Sequence, residues 1–87
     1  AIYKIYNKKR YDDRAAMVAA IKAAEGCTDC GTNNPVVLDF DHLPEYEKSF
    51  TIGSNITSKG MTRLFDEIAK CEVVCANCHR IRTKERR

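Results

Sequence analysis

Two pairs of cysteines carry the strongest chemical signal in this chain. Cys27-Thr28-Asp29-Cys30 and Cys75-Ala76-Asn77-Cys78 each form a C-x-x-C knuckle, and residues 31–74 separate them. A tight turn of this kind offers two thiolates, and Zn²⁺ takes four such soft ligands in a tetrahedron. Together the knuckles read as one structural zinc site whose ion contributes folding energy directly. The alternatives are two disulfides in a secreted domain, or a single redox C-x-x-C. Against the first, no secretion signal is recognisable and a fifth cysteine, Cys71, makes the count odd. Cys71 itself reads as a buried thiol on a helix.

The only two histidines stand beside these features. His79 directly follows Cys78, and His42 follows Asp41. A lone histidine is more often structural than functional, but here both sit at ends of segments that the zinc would hold together. Asp39 and Asp41 share one face of a short strand. An aspartate and a neutral imidazole can hold a cation such as Mg²⁺, Mn²⁺ or Ni²⁺, with positions left open for water and phosphate. A second, unligated imidazole can serve as a general base. A cation with open positions beside a base is what phosphodiester hydrolysis requires.

The elements that position these residues are legible in outline. Asp12 and Asp13 read as the start of a first helix, with Met17, Val18, Ile21 and Ala24 at helical spacing and Gly26 as its stop. Residues 1–11 interleave Tyr3, Tyr6 and Tyr11 with Lys and Arg, as a docking arm or a frayed end. Gly31-Thr32-Asn33-Asn34-Pro35 is turn chemistry. Val36, Leu38 and Phe40 alternate with Val37, Asp39 and Asp41 as a strand with one apolar face. Residues 43–60 are polar and read as a long loop. Leu64, Phe65, Ile68 and Ala69 set a second helix over about 62–71, Glu72-Val73-Val74 a second strand, and a third helix follows from Ala76.

Eighty-seven residues with 44% hydrophobic content and no Trp make one small domain, of a size that commonly needs a staple. It divides into an N-terminal basic arm and helix, 1–26, and a zinc-stapled part, 27–87. No apolar run suits a membrane span, which fits a cytoplasmic protein. Starting at Ala1 rather than Met fits a trimmed chain or a piece of a larger parent polypeptide. The formal net charge of +3 conceals a pattern. Residues 1–24 carry six cations against two acids, residues 79–87 five against one, and the middle is acidic. Basic ends suit a polyanion such as DNA, or serve only as solubilising tails.

Leu38-Asp39-Phe40-Asp41-His42 followed by Cys75-Ala76-Asn77-Cys78-His79-Arg80 resembles the zinc-stapled branch of the HNH endonucleases, common in phage and bacterial genomes, over about residues 27–83. The resemblance implies a small α+β architecture, the ββα-metal (His-Me finger) fold, with a structural zinc and flanking helices. It implies that Asp41 and His79 bind the catalytic divalent ion, Mg²⁺ or another such as Mn²⁺ or Ni²⁺, and that His42 is the general base. Cys27, Cys30, Cys75 and Cys78 would hold the structural Zn²⁺. The implied activity is one-metal hydrolysis of DNA, alone or within a larger targeting complex, leaving 5′ phosphate and 3′ hydroxyl ends. The family's middle Asn, which positions the base, is replaced by Lys70; Asn55, Asn77 or a backbone carbonyl could take its place. Lys48, Arg80, Arg82 and Lys84 are the candidate contacts to the nucleic-acid backbone, with Lys8, Lys9, Arg10 and Arg14 as a second grip. The competing reading is a non-catalytic zinc module that binds nucleic acid or protein. A redox dithiol protein is a weaker third.

Overall fold

The computed structural model describes residues 2–86, with side chains from residue 8 onward. The side chains of Tyr3, Lys4 and Tyr6, and all of Arg87, fall outside the described residues. The first helix, α1, spans Ile2–Glu25 and so begins ten residues before the Asp12-Asp13 pair expected to open it. No Gly or Pro interrupts residues 2–25, and Lys8–Asp12 (3.7 Å) and Lys9–Asp13 (3.1 Å) pair along its exposed side. The two aspartates are therefore interior helix residues. Gly26 stops the helix in the left-handed region (φ 69°), its amide bonded to the Lys22 carbonyl at 2.9 Å.

Strand β1 covers Leu38–His42 and starts two residues later than the alternation suggests. Asn34 accepts a hydrogen bond from the Val36 amide and, with Pro35, winds Pro35–Val37 into a single 3-10 turn. Val36 is left 88% exposed, outside the apolar face expected of it. Helix α2 spans Met61–Ile68, and strand β2, Cys71–Cys75, pairs antiparallel with β1, placing Leu38 opposite Cys75 and His42 opposite Cys71. Cys71 thus opens a strand instead of closing a helix. Helix α3 follows at once, Ala76–Glu85. The result is a small α+β unit of three helices on a two-stranded sheet.

Both faces of that sheet are covered. Leu38, Val73, Val74, Cys27 and Cys75 form one buried cluster, and Val18, Ile52 and Leu64 form another; Phe40 packs against both and joins them. The loop read as polar contributes Ile52 and Ile56 to this core. Arg14, named in the candidate second grip on nucleic acid, ties that loop to α1 by donating to the carbonyls of Ile56 (3.0 Å) and Lys59 (2.7 Å). Phe65, expected in the core, is 44% exposed. Among the described residues no helix is long and apolar enough to cross a membrane.

Candidate functional site

The first knuckle is a backbone turn closed by Cys27 donating to the Thr32 carbonyl (2.7 Å) and Gly31 donating to the Cys27 carbonyl (2.8 Å), with Gly31 at φ 82°. Thr28 docks it on β2: its amide (2.8 Å) and hydroxyl (3.0 Å) both donate to the Val73 carbonyl. The second knuckle is the junction of β2 and α3, where Cys75 is the N-cap and its sulfur accepts from the Cys78 amide at 3.4 Å. Topology therefore brings the two pairs together, and the metal-ligating atoms of Cys27, Cys30, Cys75 and Cys78 all lie within 4.8 Å of one another. A Zn–S bond of about 2.3 Å in a tetrahedron requires sulfurs about 3.8 Å apart. Cys30 and Cys75 meet at 3.7 Å, so these four residues could hold a structural metal such as zinc.

The thiols compete for charge. Burial pushes the Cys27 thiol up, but the amides of Cys75, Cys30 and Asp29 outweigh it and hold Cys27 at about 6. Cys78 is pushed above the thiol range by Cys75 and by burial. Four adjacent thiolates need a cation, and a dication supplies it. Cys71 stands apart: burial and the nearby Glu67 carboxylate raise it to about 11, which makes it an unreactive thiol.

A second constellation lies along the free edge of β1. Asp39, Asp41, His42 and His79 line one cleft of about 460 Å³, with Lys22, Phe40, Lys48 and Ile52 among the other walls. His79 reaches it from the first turns of α3, with Nδ1 at 3.3 Å from Asp39 and Nε2 at 3.6 Å from Asp41. Asp41, although predicted to share a polar face with Asp39, is only 2% exposed, because α3 lies across that face. Arg82 (2.8 Å) and Arg86 (2.9 Å) both donate to its carboxylate. Burial pushes the Asp41 carboxyl up, but these two guanidiniums outweigh it and hold it below its ordinary value. Among the described residues, the four cysteines are the one group of three or more side chains already gathered to metal-binding distance. The Asp41–His79 pair offers two ligand atoms. Their separation of 3.6 Å is wider than the ~3.0 Å of adjacent ligands around an octahedral ion bound at about 2.1 Å.

His42 emerges from the opposite face of β1 and turns its Nε2 to Glu67, 2.9 Å away. Glu67 was hidden to sequence reasoning as one polar residue in a helix, and Lys22 as a basic residue in a last turn. Lys22 lies over the Phe40 ring, 5.2 Å from its centroid, at the cleft wall.

Arg82, a candidate contact to the nucleic-acid backbone, is drawn into the fold. It donates to Asp29 (2.7 and 2.8 Å), Asp41 (2.8 Å) and Glu72 (3.0 Å), and its side chain is 15% exposed. It locks the first knuckle, both strands and α3 together, with four of its five N–H donors committed to carboxylates. Arg82→Ala leaves buried Asp41 with one guanidinium, that of Arg86; removing one partner of a buried pair costs about 3–5 kcal/mol. With Arg86 still in place the expected loss lies at the low end, about 3 kcal/mol, against less than about 0.5 for exposed Arg80→Ala. Urea unfolding of the two zinc-loaded variants checks this, and equal midpoints would remove the network from the stability of the fold.

Comparison with protein-family models, with curated proteins and with solved structures finds no match. Fold and site together define a small α+β domain with a four-cysteine centre suited to a structural metal, compatible with a zinc-stapled module.

Proposed function

We propose that this domain is a metal-dependent DNA endonuclease of the HNH type, built on a ββα-metal core formed by β1, β2 and α3. The observation that carries the reading is one cleft lined by Asp41, His42 and His79 beside the four-cysteine centre, with Lys22 and Lys48 in its walls. A purely structural zinc module has no use for an acid and two imidazoles on one cleft.

In this reading Asp41 and His79 hold a divalent cation, Mg²⁺ or a relative, which supplies positive charge for the scissile phosphate and the departing oxygen. The two ligand atoms stand 3.6 Å apart and would close by about 0.6 Å to take adjacent positions on such an ion. Arg86, more exposed than Arg82 and one residue beyond α3, is the partner that can yield its place on Asp41. His42 takes a proton from a water in the cleft as that water attacks phosphorus in line. The P–O3′ bond breaks, leaving a 5′ phosphate and a 3′ oxygen that is protonated from solvent. Lys22 and Lys48 orient the strand by its phosphates.

The test is plasmid nicking by protein carrying one zinc, in metal-free buffer and with Mg²⁺, Mn²⁺ or Ni²⁺ added. Relaxation of the supercoil that depends on the added ion supports the nuclease. Tight DNA binding with no cutting in any metal would favour a zinc module that only binds, a reading that the arginine grip on Asp41 also suits.

With Arg82 occupied, the outer grip on DNA falls to Arg80 and Lys84, both exposed and four residues apart on α3. Each phosphate contact contributes about −0.9 to the slope of log K against log salt. Reversing both charges should flatten that slope by about 2 in a filter-binding titration. An unchanged slope would take α3 out of the interface.

A further inference from the structure

Glu67 is a carboxylate in the core of α2, 2% exposed, and every partner it has is accounted for. Its Oε1 accepts from the Lys70 ammonium at 2.9 Å. Its Oε2 accepts from the Ser49 amide at 3.0 Å and faces His42 Nε2 at 2.9 Å. Burial pushes this carboxyl up, but Lys70, the Ser49 amide and His42 outweigh it and hold it at about 2. An ionised carboxylate only accepts hydrogen bonds. The proton between the two groups therefore sits on Nε2, and in the neutral ring the other nitrogen, Nδ1, carries a bare lone pair. Of the two ring nitrogens, Nδ1 is the one that Glu67 leaves free for the cleft.

We propose that Glu67 is the positioning residue of His42: by accepting the Nε2 proton it fixes the ring's tautomer and direction, so that Nδ1 takes the proton from the attacking water. The inference rests on the nuclease reading above. The proton moves from water to Nδ1 while the Nε2 proton stays shared with Glu67, and the carboxylate itself is never protonated. As Nδ1 gains its proton, the adjacent anion stabilises the imidazolium. Lys70, which stands where the resemblance expects an asparagine, acts one step back. It also donates to the Glu47 carbonyl (2.9 Å) and the Ser49 hydroxyl (3.0 Å), and so fixes Glu67 rather than the base. A glutamate that merely anchored the loop at Ser49 would need neither the 2.9 Å approach to His42 nor a fixed tautomer.

The experiment uses the full zinc-loaded chain with ¹⁵N-labelled histidine. Only two rings contribute to a long-range ¹H–¹⁵N spectrum, since the chain has two histidines. The wild-type His42 ring should show a protonated Nε2 and a bare Nδ1, and Glu67→Gln should mix or reverse the tautomers. In plasmid nicking the same variant should lose about a hundredfold in kcat, with KM and zinc content unchanged. A purely structural role would instead lower the zinc-bound, folded fraction and leave the tautomer alone. A wild-type ring protonated on Nδ1, or a Glu67→Gln enzyme with wild-type kcat, overturns the role of Glu67 and leaves the nuclease standing. A wild type that fails to cut with any of the added metals overturns the nuclease and this role with it. Should Glu67→Gln fail to fold, the wild-type spectrum decides alone.

Discussion

His42→Ala should bind zinc and DNA as the wild type does and cut DNA at least a hundredfold more slowly. General-base catalysis contributes about 10²–10⁴ in rate, and each decade corresponds to about 1.36 kcal/mol of barrier. The variant is clean because His42 belongs to neither the four-cysteine centre nor the arginine network. Among the described side chains it is hydrogen-bonded to Glu67 alone, and Glu67 retains Lys70 and the Ser49 amide when the ring is gone. The stability cost is therefore that of one hydrogen bond to a charged group, about 1.5–3 kcal/mol, which a zinc-stapled domain can absorb. Asp41 cannot serve as this probe. Its removal would strand Arg82 and Arg86 against a buried position, so lost activity would be confounded with lost structure. Single-turnover nicking beside a zinc assay makes the comparison, and wild-type rates in His42→Ala would end the assignment of the base.

The same contrast explains which parts of the site were legible in the sequence. The four-cysteine centre was, because the signal lies within each four-residue turn and the two turns flank strands that pair. That Asp41, His42 and His79 lie near one another was legible too, because each lies beside a knuckle or a strand end whose position the pairing fixes. The role of Arg82 was not. It depends on the roll of α3 over the sheet and on Asp29, which enters from the far end of the chain. Burial of Asp41 follows from the same roll, since strand alternation tells which residues share a face but not what covers that face. Ile52 and Ile56 were hidden in a polar stretch because two apolar residues among turns carry no period. The early start of α1 was masked by Asp12 and Asp13, good first-turn residues that are equally good partners for lysines one turn before them. Glu67 was the least legible, because a buried charge reads as a surface charge until its partners are known.

The largest structural effect should come from Cys27→Ser. Cys27 is 4% exposed, and its sulfur accepts from the amides of Cys75 (3.2 Å) and Cys30 (3.4 Å), so one atom joins the two knuckles before any metal is bound. Cys27 and Cys75 also belong to the buried cluster of Leu38, Val73 and Val74, so the centre is part of one of the two core clusters. Structural zinc sites supply about 10–16 kcal/mol in small peptides, whereas a whole domain is stable by only about 5–15. A serine hydroxyl does not ionise to give a fourth anionic ligand, so three thiolates would have to hold the ion. Each kcal/mol lost lowers Tm by about 4–8 °C in a domain of this length, so even about 3 kcal/mol is a shift of more than about 10 °C. Loss of cooperative melting, with zinc content below one per chain, is the expected result. Acid should act in the same direction on the wild type. Cys30 and Cys78 stand above their ordinary thiol values, so both must release protons to bind metal, and affinity falls as pH falls. A colorimetric zinc-release titration reads this directly, with Cys27→Ser releasing its ion at a higher pH than the wild type. An unchanged melting curve and an unchanged release profile in Cys27→Ser would mean that the fold stands without its staple. The strand ends would then be held by the Arg82 network and the two small hydrophobic clusters alone.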